Sequence, residues 1–313
     1  MLFALCAAAA TLAVVTLGGV VYEVIHGADP SISRFGLGFL GHTTWKPNAA
    51  PSHVSPAVAK TFEVFGAGSM IYGTVVTSLF ALLLAAPLGI AIGIYLSMIA
   101  PPAVRAVVGP LVEMLAAIPS VIVGLWGFIV LAPFVRDHIE PGLHSAFGFI
   151  PLFGPPQTTG LSLFSAGLVL TLMILPIIAA LSRDLFLTVP RELKDGAAAL
   201  GATRWEIIRG IVLPSTASGV AAASVLGLGR ALGEAIAVSL VVGGVTQIHA
   251  SLFSGGATLA GQIANQFPSP ASHLHIPSLY YLALVLLVIG LLASLAARAI
   301  AGRFDVQTTL TPT

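Results

Sequence analysis

Long apolar runs separated by short polar segments dominate the chain. Uninterrupted apolarity predicts spans at about Leu2–Val21, Ile71–Ile99, Val107–Pro133, Leu161–Leu181, Gly219–Val242 and Leu279–Ala297. Each is close to twenty residues or longer, which at about 1.5 Å per residue crosses a hydrocarbon core of about 30 Å. The alternating segments of about ten residues that mark a transmembrane β-barrel do not occur. The pattern therefore predicts an all-α, polytopic membrane protein with six transmembrane helices, its C-terminus on the same side as its N-terminus. Ala7–Ala10 supplies the small residues of a signal-peptide cleavage site, but no Lys or Arg precedes the run and it is twenty residues long, so it is read as a span.

Composition narrows the class. Of 313 residues, 57% are hydrophobic and 8% charged, against roughly 25% charged in a soluble domain. Thirteen Lys and Arg against twelve Asp and Glu leave a net charge of +1, which offers nothing to nucleic acid. The lone Cys6 excludes an internal disulfide and a cysteine metal cluster. None of the three lysines, Lys46, Lys60 and Lys194, stands in a G-x-x-x-x-G-K-[ST] loop, so ATP is not bound in that way.

Sidedness follows from the basic residues. Arg105, Arg183, Arg191, Lys194, Arg204, Arg209, Arg298 and Arg303 fall in one set of segments, while Arg34, Lys46, Lys60 and Arg136 are spread thinly over the other. The first set is cytoplasmic by the positive-inside rule, and both termini face the cytoplasm. All eight histidines lie in the outer set; His273-x-His275 lacks a third ligand in a recognisable frame and reads as hydrated imidazole in an external loop, so no metal is assigned. The external segment 22–70 reads as an ordered loop with Trp45 as an aromatic anchor near the headgroups. Segment Gly244–Ser278 carries Leu252, Phe253, Leu259 and Ile263 near helical spacing and predicts an interfacial or re-entrant helix. One membrane domain, 1–313, accounts for the chain, with a core at 71–300.

The segment 183–214 is the most informative. Pro190 suits a helix start, Arg191–Leu200 is rich in helix formers, and Gly201 supplies a left-handed stop. Thr203 stands three residues before Glu206, the spacing of a capping box for a second helix, which Pro214 closes where the next span begins. The product is a cytoplasmic helical hairpin presenting Leu193, Ala197, Leu200, Trp205 and Ile208, either to its own membrane helices or to another protein.

Here the residues carry a resemblance. Asp195-Gly196-Ala197, Gly201 six residues after Asp195, and Ile211-Val212-Leu213-Pro214 match the spacing of the E-A-A-x₃-G-x₉-I-x-L-P loop of ABC importer permeases. Asp195 replaces the usual Glu on a shorter stem, and Gly196 replaces Ala at a cost of up to ~1 kcal/mol of helix stability. Gly73–Ser78, Pro87–Leu96, Ile118–Gly127 and Gly229–Glu234 further resemble the PstC family of phosphate-specific permease subunits. The resemblance implies a MetI-like permease fold in a bacterial cytoplasmic (inner) membrane. It also implies a coupling hairpin seated on a separate cytoplasmic ATPase present in two copies, which binds the ATP and Mg that this chain does not. The further partners implied are a PstA-like second permease and an extracytoplasmic phosphate-binding protein. The chain is then a transport subunit with no catalytic residues.

Charge inside the hydrocarbon costs about 2.5–3.5 kcal/mol per residue on insertion scales, so Glu113, Arg230 and Glu234 need reasons. Arg230 and Glu234, four residues apart, are expected on one helix face. One reading is a self-neutralising ion pair. The other has Arg230 line the passage as a bidentate oxyanion donor, with Glu234 competing for its guanidinium so that substrate is released. Glu113 is expected to bond across to another helix or loop. Gly229 and Gly233 form a G-x-x-x-G, as do Gly89 and Gly93, either for intrachain packing or, in span five, for the second permease. The alternatives are an ABC permease for another oxyanion or small solute, or an ATP-independent secondary transporter. The latter predicts inverted repeats, several broken helices or a ring of charges, and the chain shows no such internal symmetry.

Overall fold

The computed structural model describes residues 2–47 and 63–303, and these are predominantly helical. His53 and Lys60, read above as external, lie outside the described residues. Six helices among them are long and apolar enough to cross a membrane. The elements are α1 (Leu2–Phe35), α2 (Gly38–Gly41), α3 (Gly68–Ile94, extended by a wide turn Tyr95–Ile99) and α4 (Pro102–Ala116). Then come α5 (Ser120–Phe147), α6 (Leu163–Thr188), α7 (Arg191–Ala199), α8 (Arg204–Gly233), α9 (Ile236–Val241), α10 (Leu259–Gln266) and α11 (His275–Arg303).

The axis of the bundle is α6, with 72% of its most apolar window buried. Lipid gives helices no hydrophobic reason to associate, so close packing must come from small residues that let backbones approach. Gly89 and Gly93 of α3 do this: a Cβ on Gly89 would lie 2.9 Å from the Ile178 side chain, and one on Gly93 would lie 3.0 Å from the Arg183 backbone nitrogen. Around this seam a core forms from Ala81, Ala85, Val169, Leu170, Ile174 and Ile178, reaching Val238 and Val241 of α9.

Four expectations are corrected. First, α1 does not stop at Val21. Glu23, His26 and Asp29 end the apolar run but not the helix, because Gly27 and Ser31 face α11: a Cβ on Gly27 would sit 2.7 Å from the Tyr280 ring, and Ser31 Oγ lies 3.1 Å from Ser278 Oγ. The start of the supposed loop is therefore membrane helix and its packing stalk. Second, Trp45 is not a headgroup anchor. It is buried, edge-on to Phe65 at 4.8 Å, and donates its indole N–H to Gln266 Oε1 at 2.7 Å. His275 completes this cluster: the Ala271 N–H donates to its Nδ1 at 3.0 Å, which leaves Nε2–H to donate to Gln266 Oε1 at 2.8 Å. It is a buried, fully engaged ring and not a hydrated one.

Third, the predicted span Val107–Pro133 straddles a break. Pro119 lacks an N–H and disfavours helix at Ile118, so the chain turns between Ala116 and Ser120. Fourth, Gly219–Val242 is also interrupted: α8 ends at Gly233, Glu234 is extended (ψ 117°), and α9 is a separate piece. At its other end α8 begins at Arg204 and runs through Pro214, which does not close a hairpin helix as expected. Proline cannot pair with the Gly210 carbonyl, and the wide turn Ile208–Val212 absorbs the lost bond. The helix expected in Gly244–Ser278 is α10, N-capped by Thr258 and buried through its first turn, where the Leu259 N–H meets Thr74 Oγ1 at 2.9 Å.

Packing at the α3–α6 seam yields a prediction. Gly93→Leu should cost about 1–3 kcal/mol by overpacking and lower the thermal midpoint of the purified chain by scanning fluorimetry. Gly19→Leu, whose Cβ meets nothing within 4 Å, should leave it unchanged.

Candidate functional site

The two helix interruptions meet. A Cβ on Gly124 of α5 would lie 2.6 Å from the Ala237 Cα of α9, so the piece after the Pro119 break packs directly on the piece after the Glu234 break. Arg230 sits beside this junction in the last turn of α8, where a cation complements the helix C-terminus. The helix stops one turn later, so Arg230 and Glu234 do not share the helix face expected of them. The Glu234 carboxylate instead accepts from the Ala237 N–H at 3.2 Å, capping α9. Ion pairs within 4.0 Å among the described residues join Arg136 to Asp137 and Arg183 to Glu113 and Asp184, and the self-neutralising Arg230–Glu234 pair is not formed.

Arg230 is exposed and walls two cavities. One, of about 370 Å³, lies against the α4–α5 break, between Ala116, Ile118, Ile122, Trp126 and Pro176. The other, of about 670 Å³, lies between α6, α8 and α11. Gly229 and Gly233 present a bare face: a Cβ on either meets nothing within 4 Å, in contrast to the occupied pair Gly89 and Gly93. A guanidinium with no carboxylate partner, at a gap between helices and beside a face with no neighbour among the described residues, is equipped to meet an anion.

Glu113 bonds across, as expected: Arg183 donates to it at 2.8 Å. It lies on α4 against the last turns of α6, at the end of the bundle that carries the hairpin.

That hairpin is built as its residues dictate. α7 spans Arg191–Ala199, Gly201 takes φ +90°, and the Thr203–Glu206 capping box is complete, with Glu206 Oε2 accepting from the Thr203 N–H at 2.7 Å. Lys194 donates to the Phe186 carbonyl at 3.2 Å, tying the hairpin to the end of α6. Its ammonium is held below the usual lysine value, first by burial and then by Arg191, with Asp195 opposing.

The apolar residues of the hairpin fall into a buried group and an exposed one. Ile208 is buried and Ala197 packs against the inner cluster formed by Phe186, Val189, Ile207, Val212 and Val220. Leu193, Leu200 and Trp205 are 53%, 91% and 62% exposed, an apolar patch at the tip. Asp195 and Gly196 are exposed beside it. Ile211 and Leu213 are half-buried against the same inner cluster, and Pro214 lies at the start of the straight part of α8.

Sequence reasoning missed Glu140. It is fully buried on α5, accepts from Ser162 Oγ at 3.3 Å, and so fastens the N-cap of α6, while Arg136 donates to the Thr158 carbonyl at 3.3 Å. The signal was present: Ile139, Leu143 and Phe147 continue the apolar spacing beyond Pro133, which places Glu140 within a helix and not in a loop.

Residues 89–306 match the family described as binding-protein-dependent transport system inner membrane component. The chain is 42% identical over 306 residues to the phosphate transport system permease protein PstC of Mesorhizobium japonicum, covering 96% of this chain and 89% of that one. It is 42% identical to the PstC of Pasteurella multocida over 87% and 82% of the two chains. Among solved structures it is similar to a bacterial ABC transporter involved in the import of the acidic polysaccharide alginate, with a TM-score of 0.54 and 18% identity over 94% of this chain and 96% of that one. It is also similar to the MetNI methionine ABC transporter in an inward-facing conformation, with a TM-score of 0.53 and 20% identity over 75% and 93%. At these identities the structures speak for the fold.

The exposed hairpin offers a direct test of its departure from the usual motif. A Cβ at Gly196 meets nothing within 4 Å, so Gly196→Ala should stabilise α7 by up to ~1 kcal/mol. Hydrogen exchange should then slow several-fold at the amides of Leu200 to Ala202.

Proposed function

The chain belongs to the binding-protein-dependent transport system inner membrane components, and within them to the PstC phosphate permeases; from that membership we propose how its parts work. It is a multi-pass permease subunit of an ATP-driven phosphate importer, forming half of the pathway and coupling to a separate ATPase. The observation that carries the reading of the site is Arg230, a guanidinium with no ion-pair partner among the described residues, at the junction of two broken helices. Its planar, permanently charged fork suits the oxygens of phosphate.

Glu234 lies next to Arg230 in the chain's path, held by one hydrogen bond from Ala237. Rotation of its side chain away from that amide brings a carboxylate into competition with phosphate and prevents the ion from binding too tightly to leave. The bare face of Gly229 and Gly233 receives a second, PstA-like permease, so that the pathway closes between two different subunits. An extracytoplasmic phosphate-binding protein delivers the ion to the end of the bundle opposite the hairpin. Leu193, Leu200 and Trp205, with Asp195, Gly196, Ala197 and Gly201 shaping the helix beneath them, seat the hairpin on one of two ATPase copies, where ATP and Mg are bound. Both termini then lie on the cytoplasmic side, in agreement with the distribution of basic residues. ATP-driven movement of the hairpins shifts the membrane domain between outward- and inward-open populations.

Uptake of labelled phosphate into proteoliposomes holding the complete complex, with ATP inside and binding protein outside, tests the reading. Uptake should require ATP and resist competing sulfate and molybdate; uptake without ATP would overturn it. Arg230→Gln should lower the rate at least roughly tenfold, the loss expected for one charge-assisted contact of 1.5–3 kcal/mol. Unchanged uptake by assembled Arg230→Gln and Glu234→Gln complexes would remove both residues from the pathway. Trp205→Asp should abolish ATP-driven uptake while leaving permease assembly intact by size-exclusion chromatography.

A further inference from the structure

Arg298 was read from the sequence as one of the basic residues that orient the chain. The fold gives it a second setting: it lines the 670 Å³ cavity that Arg230 also lines. The cavity runs between α6, α8 and α11, and from Ala222 to Arg230 alone it follows about 12 Å of helix axis. Ala222, Val225, Leu226 and Ala297 make its walls apolar, and Ser294 is the one neutral polar side chain on them among the described residues. Among the described residues no Asp or Glu lines it, and neither arginine makes a hydrogen bond or ion pair with any of them.

Two guanidinium groups lining one largely apolar cavity, with no carboxylate among the described residues to neutralise them, repel each other, and a shared anion relieves that repulsion. A headgroup anchor explains one basic residue near a helix end; it does not explain a second arginine lining the same cavity. Arg230 also lines the smaller cavity at the α4–α5 break, so it is common to that cavity and to the one that Arg298 lines.

We infer that Arg298 is the second guanidinium of a phosphate-group site shared with Arg230, with Ser294 as an additional hydroxyl partner. The ligand is a phosphate oxyanion. It is the transported ion on its way towards the hairpin side or, by the same chemistry, the headgroup of an anionic phospholipid entering between α8 and α11. The first source rests on the import reading above; the second does not.

The test uses the complex of permeases and ATPases in nanodiscs, without binding protein, as the unsubstituted protein and as Arg298→Gln and Arg298→Lys. Equilibrium binding of labelled inorganic phosphate is measured in phosphatidylcholine discs. Retention of phosphatidylglycerol from mixed discs is measured by native mass spectrometry. If the ion is the occupant, Arg298→Gln should weaken phosphate binding at least roughly tenfold and Arg298→Lys less. If a lipid is the occupant, phosphatidylglycerol should be retained by the unsubstituted complex and lost on Arg298→Gln. Should Arg298→Gln fail to assemble, the partial loss in Arg298→Lys decides. Binding of neither probe by the unsubstituted complex, or equal binding by all three, overturns the inference. ATP-driven uptake by the unsubstituted complex is recorded alongside: its absence defeats the import reading, while the binding comparison stands on its own.

Discussion

In a bilayer the backbone has no water to fall back on, so every helix break must be paid for locally and every helix contact must be won by shape. The close seam between α3 and α6 is where this chain meets the second demand. Gly89 and Gly93 remove side chains where Ile178, Ser182 and Arg183 pass, and α6 becomes the buried post against which the other helices are placed. The same post serves both ends of the molecule. Pro176 and Ile177 face the two cavities that share Arg230, and eleven residues further on Thr188 closes the helix beneath the hairpin. Weakening the seam would therefore loosen the surroundings of Arg230 and the base of the hairpin together.

The first demand is met by pairing the two breaks with each other. After Pro119 and after Glu234 the chain resumes as helix, and the two resumed pieces lie so close that Gly124 leaves no room for a Cβ beside Ala237. Glu234 supplies one of the amides freed at the start of α9 with an acceptor. That bond has a consequence for Arg230. A continuous helix would have set the carboxylate one turn from the guanidinium and neutralised it; a broken one turns the carboxylate towards backbone and leaves the guanidinium facing a cavity. The interruption thus creates an available cation in a place where insertion would otherwise favour a closed ion pair.

How far these features were legible depends on the range of the interaction behind each. The hairpin is local chemistry: Pro190, Gly201 and the Thr203–Glu206 spacing act within one or two turns, and helix, left-handed stop and capping box all stand where those residues put them. The number of spans was legible because apolar length is a local property. What escaped was set at long range. Trp45 is buried by Phe39, Phe65 and Gln266, the last more than two hundred residues away, and nothing next to Trp45 announces that. α1 continues past Val21 because Gly27 and Ser31 find Tyr280 and Ser278. The break at Glu234 was hidden because Ala235–Val242 prolongs the apolar run: hydropathy records burial in lipid and is blind to whether the helix carrying it is continuous.

The same geometry says how movement at the hairpin can reach the charged site. α8 starts inside the hairpin at Arg204 and carries Arg230 in its last turn. From Leu213 to Arg230 it is one uninterrupted rod of about 25 Å. Below the rod lies the wide turn Ile208–Val212, whose backbone bonds are already shifted in register by Pro214, and above it lies the break at Glu234. A rigid segment between two irregular ones moves as a unit. A tilt imposed on Arg204–Ile207 by a docked partner therefore displaces the guanidinium against α6 and does not dissipate along the helix. With Gly229 and Gly233 exposing a bare side of that rod, sliding against a neighbouring subunit meets little steric resistance at the level of the arginine. On the proposed reading, coupling needs no long pathway of side-chain contacts, only one helix that is stiff between its two interruptions.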